Sequence, residues 1–197
     1  MKKIILTGFE PFRNEKVNVS WETIKDYENS DIILKKILLP VVFKKASSIL
    51  IEEINKFNPD YVVMFGEAGG RNTITLEKIA LNYMDASIED NEGNKFLGKK
   101  SEEIEQNAYF TSLPLEKIEQ DLKDNRIPSY ISKHAGTYVC NNIMFDILNH
   151  INQNNLSVKA GFIHLPYYEE NVFDKKLSPF LPLEYLKKAL NIIVNSL

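Results

Sequence analysis

Short unbroken apolar runs alternate along this chain with stretches in which apolar residues recur every three or four positions. The first pattern marks strands covered on both faces, and the second marks helices with one apolar face. Lys3-Ile4-Ile5-Leu6 is such a strand, ended by Thr7-Gly8. Trp21, Ile24 and Tyr27 recur at helical spacing, with Ser20 as the candidate N-cap. Asp31 to Val42 is β-rich. Ala46, Ile49, Leu50, Ile54 and Phe57 share one helical face, which Asn58-Pro59-Asp60 closes. Tyr61-Val62-Val63-Met64-Phe65 is another buried strand and runs straight into Gly66-Glu67-Ala68-Gly69-Gly70.

Thr73 to Tyr83 alternates like one strand. Residues 85–106 are polar, carry Gly93 and Gly98, and read as a long surface excursion of the kind that often has a function. Leu115, Ile118 and Leu122 mark a helix, and Ser129 to Ser132 a short strand. Val139, Ile143, Ile147 and Ile151 mark a helix with Cys140 at or near its first turn. Ala160 to Ile163 is a buried strand that delivers His164 at its end, and Leu183 to Leu197 is a closing helix. Strands alternating with helices predict an α/β domain around a mostly parallel sheet. A chain of 197 residues is one domain or at most two small ones, and no repeat or Pro/Gly-rich linker divides it.

Composition narrows the classes. With 44% hydrophobic and 26% charged residues the chain has the make-up of a folded protein, not of a disordered one. Lys plus Arg number 24 and Asp plus Glu 27, a net charge of −3 that offers nucleic acid no electrostatic footprint. No apolar run approaches the ~18 residues that span a bilayer. The apolar run after Lys3 stops at Thr7, too short for a signal-peptide core. The lone cysteine rules out an internal disulfide, and a reducing cytoplasm is the expected location. The three histidines, His134, His150 and His164, show no zinc-helix spacing, so no metal is expected.

Sites in open α/β sheets collect at the carboxyl ends of strands and the amino ends of helices. Gly8 to Phe12, Gly66 to Arg71, Cys140 and His164 all fall at such places. Cys140 has two readings: a small buried hydrophobe on a helix face, or a nucleophile whose thiolate the helix amino terminus favours. His164 is either structural or the general base for that thiol. Glu77, in an otherwise apolar stretch, is either a solvated strand residue or the carboxylate that orients the imidazole. Phe9 and Phe12 are core residues or the walls of an apolar pocket. The glycines at 66–70 fit neither the dinucleotide fingerprint nor a P-loop, and support for a nucleotide is weak.

These residues sit within a longer series of motifs. Thr7-Gly8-Phe9-Glu10-Pro11-Phe12 is followed by Val17-Asn18-x-Ser20-Trp21, Gly66-x-Ala68-Gly69-Gly70-Arg71 and Ile74-Thr75-x-Glu77. Ala80-x-Asn82, Ala108-Tyr109-Phe110, Leu113-Pro114, Ala135-Gly136-Thr137-x-Val139-Cys140-Asn141 and Gly161-Phe162-Ile163-His164-x-Pro166-Tyr167 come after. In this order and over nearly the whole chain, the series resembles the pyroglutamyl peptidase I (pyrrolidone-carboxylate peptidase) family of cysteine peptidases. The resemblance implies one α/β/α domain spanning 1–197 around an open, twisted sheet. It implies a cytoplasmic exopeptidase, commonly a homotetramer, that uses no cofactor or metal and removes N-terminal pyroglutamate from peptides. It places the triad on Glu77, Cys140 and His164, and the lactam pocket on Phe9, Phe12, Tyr138 and Val139, with Asn18 and Glu67 beside them.

The chain departs from the family pattern in several places. Glu67 stands where the family usually has Gln, and an ionised carboxylate can accept a hydrogen bond but not donate one. Ser87 stands where the family has an arginine that assists the oxyanion region, and Arg71 is the candidate to supply that charge. The backbone N–H of Cys140 is the expected oxyanion donor. A helix-start thiol beside a histidine is further expected to have a depressed pKa. A member that has drifted to binding lactam or peptide ends without cleaving them is the rival reading.

Overall fold

The computed structural model describes residues 1–197. In chain order the elements are β1 (Lys2–Phe9), α1 (Val19–Ile24), β2 (Ile32–Leu39), α2 (Lys45–Phe57), β3 (Tyr61–Glu67), β4 (Ile74–Glu77), β5 (Ile79–Leu81), β6 (Ala108–Phe110), α3 (Leu115–Asp124), β7 (Ser129–Ser132), α4 (Val139–Gln153), β8 (Lys159–Leu165), α5 (Glu169–Val172) and α6 (Leu183–Ser196). Six strands form one sheet in the order β2-β1-β3-β8-β4-β7. The first four are mutually parallel, as the buried apolar runs predict. β4 lies antiparallel to β8, and β7 follows β4. The reversal has a length cause: only residues 68–73 join β3 to β4, and a parallel return needs a crossover of about a dozen residues or more. β4 therefore starts at the edge where β3 ends.

The alternation of side chains along each strand feeds two cores. Ile5, Val62, Met64, Ala160 and Phe162 pack under α2 and α4. Ile4, Leu6, Val63, Phe65 and Ile163 pack under α1, α3 and α6. Helices thus cover both faces, which is why the strands read as continuous apolar runs.

Two local expectations are corrected, and a third is refined. The N-cap of α1 is Asn18, whose Oδ1 accepts from the Ser20 N–H at 3.0 Å. Ser20 itself is inside the helix, because its hydroxyl accepts the Phe9 N–H at 2.9 Å and donates to Asn18 Oδ1 at 2.7 Å. This pair fastens α1 to the end of β1. The alternating run 73–83 is two strands, β4 and β5, in different sheets. The chain leaves the large sheet at Lys78 so that β5 pairs with β6. The excursion 85–106 lies largely on the surface, as expected, and is firmly anchored. The buried Asp90 carboxylate accepts backbone N–H bonds from Phe43, Glu92 and Asn94. Farther on, Ser101 donates to Asp146 at 2.6 Å, beside Lys44 and Ser47, which bind the same carboxylate.

Candidate active site

A cavity of about 260 Å³ opens at the carboxyl ends of β1 and β3, against the amino terminus of α4. Its apolar walls are Phe9, Phe12, Tyr138 and Val139, with Phe12 and Tyr138 in aromatic contact at 5.6 Å between ring centroids. Asn18, Glu67 and Cys140 add the polar groups. Val41, Gly69 and Tyr167 also line it and were not foreseen. Tyr167 belongs to the motif that follows His164, so its position was in view and only its role was missed. A wider depression of about 450 Å³ at the opposite edge, lined by Lys2, Asp60 and Lys159, holds no histidine or thiol.

The strand register brings the chemistry together. His164 pairs with Gly66 on one side and Thr75 on the other. Glu77 pairs with Phe162, two residues from His164, so Glu77 and His164 share one face as diagonal neighbours. At that spacing a long side chain reaches, and Glu77 Oε1 meets His164 Nδ1 at 2.7 Å. Cys140 comes from above on the first turn of α4, entered through Gly136 at φ +83°. Gly66 leaves it room: a Cβ there would lie 3.0 Å from Sγ and 2.6 Å from Phe162 Cζ. Gly66→Ala is therefore expected to push sulfur and ring out of place and to lower kcat/KM by about 10²-fold, the cost of roughly 1 Å of misplacement. Steady-state kinetics on the folded variant check this, and wild-type turnover would show that the close approach is dispensable.

The order of partners fixes the imidazole. Nδ1 faces an ionised carboxylate, so it carries the proton and leaves the Nε2 lone pair free. Arg71 Nη1 donates to the same Glu77 oxygen at 2.8 Å, while Glu77 Oε2 has no partner. Arg71 is thus a counter-charge to Glu77 and is not among the residues that line the cavity. Ser87 lies on an exposed dish with Arg13 and Lys95, outside the cavity. Asn18 borders the cavity, but its Oδ1 caps α1 and its Nδ2 donates to Glu10 O at 3.0 Å. Sγ and the imidazole are not hydrogen-bonded to each other, so the continuous line runs from Arg71 through Glu77 to His164. Catalytic hydrogen bonds commonly tighten only once substrate is bound.

Electrostatics set the resting state. Burial alone would raise the Glu77 carboxyl, but the bonds from His164 and Arg71 outweigh it and hold it below the usual carboxylate range. Burial pulls His164 below the ordinary histidine value against the pull of Glu77. Burial also pushes the Cys140 thiol up to about 12, Glu77 adding to it and Arg71 opposing it. The expected depression of the thiol is thereby reversed. A helix terminus contributes ~0.3–1 kcal/mol, less than one pKa unit, whereas burial moves a pKa by as much as ~3–5 units. Both directions favour a neutral thiol and a neutral imidazole at rest, the proton moving as the sulfur attacks. Alkylation of Cys140 by iodoacetamide should accordingly rise with pH through ~8.5 without an inflection at or below that model value. A plateau reached below pH ~8 would establish a preformed thiolate.

The comparisons with known proteins agree with this architecture. The family model described as pyroglutamyl peptidase matches residues 2–197. The pyrrolidone-carboxylate peptidase of Brachyspira hyodysenteriae is 43% identical over 196 residues, covering 98% of each chain. That of Thermococcus kodakarensis is 42% identical, covering 98% of this chain and 94% of its own. Among solved structures, pyroglutamyl peptidase I from Bacillus amyloliquefaciens superposes with a TM-score of 0.94 at 38% identity, over 99% of this chain and 94% of that one. With matches of this extent in sequence and in fold, the chain belongs to the pyroglutamyl peptidase family.

Proposed function

We propose that this protein hydrolyses the bond after an N-terminal pyroglutamyl residue, with Cys140 as nucleophile, His164 as general base and acid, and Glu77 orienting the imidazole. One observation carries the reading. A free thiol on the first turn of a helix lines an apolar-walled cavity, and its sulfur sits against Gly66, the strand partner of a histidine that a buried carboxylate orients. Pyroglutamate is a five-membered lactam, so a peptide that begins with it brings no charged amino terminus. A cavity walled by Phe9, Phe12, Tyr138 and Val139, with no ion pair inside it, suits a neutral ring.

The chemistry follows from the positions. As Cys140 Sγ attacks the scissile carbonyl carbon, its proton passes to His164 Nε2 and the carbonyl oxygen becomes an oxyanion. The Cys140 N–H, in the first turn of α4 and so without an intrahelical acceptor, is placed to bind that oxygen. Collapse breaks the C–N bond, and the imidazolium gives its proton to the leaving amine. The thioester left on Sγ is then opened by water, whose proton returns through Nε2, releasing pyroglutamate and restoring the thiol.

The test is release of a fluorophore from a pyroglutamyl arylamide by freshly reduced enzyme between about pH 6 and about pH 9, across the histidine range. Hydrolysis by wild type and none by Cys140→Ser is expected. Calorimetric binding of a pyroglutamyl peptide without any product would overturn the hydrolytic role in favour of a binding protein.

A further inference from the structure

Glu67 is the one carboxyl in the cavity, and its two oxygens are not equivalent. Oε2 accepts the Val19 N–H at 3.3 Å and Asn171 Nδ2 at 3.1 Å. Oε1 has no protein partner, and the residue lines the cavity together with Phe9, Phe12 and Val139. No cation pairs with the group. Lys175, the basic residue that acts on it, is spent on Glu15, and its ammonium lies 4.1 Å from the centroid of the Tyr167 ring. A protonated carboxyl has one acceptor oxygen and one O–H donor. Two N–H donors on Oε2 make it the acceptor, and the proton belongs on Oε1, the oxygen that no protein group occupies.

We infer that Glu67 determines specificity as a neutral carboxylic acid, its Oε1–H donating a hydrogen bond to the ring carbonyl of the pyroglutamyl group. The inference rests on the pyroglutamyl reading above and adds the chemical form in which the pocket recognises the ring. A lactam offers one N–H and one C=O. A free O–H complements the C=O, whereas an ionised carboxylate would set its lone pairs against those of the carbonyl in a site with little water.

The surroundings agree. Burial pushes the Glu67 carboxyl up to about 7. The Val19 N–H, Lys175 and Asn171 pull it down, and the negative Glu15 pushes it further up. The other titratable groups around the cavity are Cys140 from α4, Tyr138 just before that helix, and Tyr167 and Tyr168 after β8. Burial pushes the Cys140 thiol and the Tyr168 phenol up to about 12, so neither charges in the working range. Glu77 is paired with Arg71 and hydrogen-bonded to His164.

The sign is definite. The functional form of Glu67 is protonated, so kcat/KM, which reports ionisations of the free enzyme, falls as pH rises through about 7. The functional form of His164 is neutral, and burial holds its pKa below the ordinary histidine value, so its limb rises on the acid side. The profile is a bell with His164 below and Glu67 above.

The experiment is the kcat/KM profile of wild type and Glu67→Gln on a pyroglutamyl arylamide. Glutamine has the same shape and an N–H donor that does not ionise. Between about pH 6 and about pH 8.5 wild type should fall about 30-fold, as one ionisation at about 7 requires, with the loss carried by KM. Glu67→Gln should fall less than about 2-fold over the same interval. An equal fall in both proteins, no fall in wild type, or a folded glutamine variant inactive at every pH would each overturn the inference. Infrared difference spectra of the two proteins without substrate read the same ionisation independently of the peptidase reading. A protonated-carboxyl band lost near pH 7 supports the inference, and one already lost in the ordinary carboxylate range, ~4–5, overturns it.

Discussion

Cys140→Ala should lower kcat on a pyroglutamyl arylamide by about 10⁴-fold or more, with KM nearly unchanged. The magnitude follows from what is removed and what stays. Sγ is the only thiol in the cavity, and without it the imidazole can at best activate a water. In serine proteases, removal of a triad nucleophile costs about 10⁶ in kcat, while binding and oxyanion donors keep about 10³ over water. Here the cavity walls Phe9, Phe12, Tyr138 and Val139 are untouched by the change, so ground-state binding should persist. Cys140→Ser should be almost as inactive, because an alcohol is far harder to deprotonate than a thiol and the imidazole base is already weakened by burial. Calorimetry with a pyroglutamyl peptide separates loss of chemistry from loss of fold. Turnover within about tenfold of wild type in a folded alanine variant would remove Cys140 from the mechanism.

The sheet and the site differed in how far they could be read from the residues. Strands such as Ile4-Ile5-Leu6 and Val62-Val63-Met64 were legible because both of their faces are covered and every position is apolar. The N-cap of α1 was not, since Asn18 and Ser20 are both capping types two positions apart. The choice was made by the Phe9 N–H, which takes the serine hydroxyl. The four-residue α5 is too short for a helical period to appear. The anchors of the excursion 85–106 were not legible because they are distant in sequence: Asp90 accepts the Phe43 N–H, and Ser101 donates to Asp146. In the site, positions at strand and helix ends and the family resemblance pointed to Glu77, Cys140 and His164, but the rise of the thiol pKa was not foreseen. A helix start is visible in sequence, whereas burial is a property of the packed whole, and burial is the larger effect. The Arg71 partner was hidden for a similar reason. Its charge was legible, but that it faces Glu77 depends on how residues 68–73 turn from β3 into β4.

Glu77→Gln should lower kcat by about 10⁴-fold and move the acid limb of the pH profile to lower pH. Glu77 is fully buried, and its Oε1 accepts from both His164 Nδ1 and Arg71 Nη1. An amide has one oxygen and one NH₂. If the oxygen stays with Arg71, the NH₂ is offered to Nδ1, which must then accept. The tautomer inverts, the proton moves to Nε2, and the base facing the sulfur is gone. If the oxygen turns to Nδ1, the tautomer survives but the imidazolium formed during attack loses its anionic partner. Both outcomes slow the step in which the thiol proton moves. The acid limb distinguishes orientation and charge from mere support. Glu77 raises the His164 pKa and Arg71 lowers it, so removing the carboxylate leaves the guanidinium unopposed and the imidazole harder to protonate. The neutral imidazole then persists to lower pH, and the acid limb follows it. Were Glu77 only packing, the substitution would cost stability while the limb stayed in place and turnover remained within about tenfold of wild type.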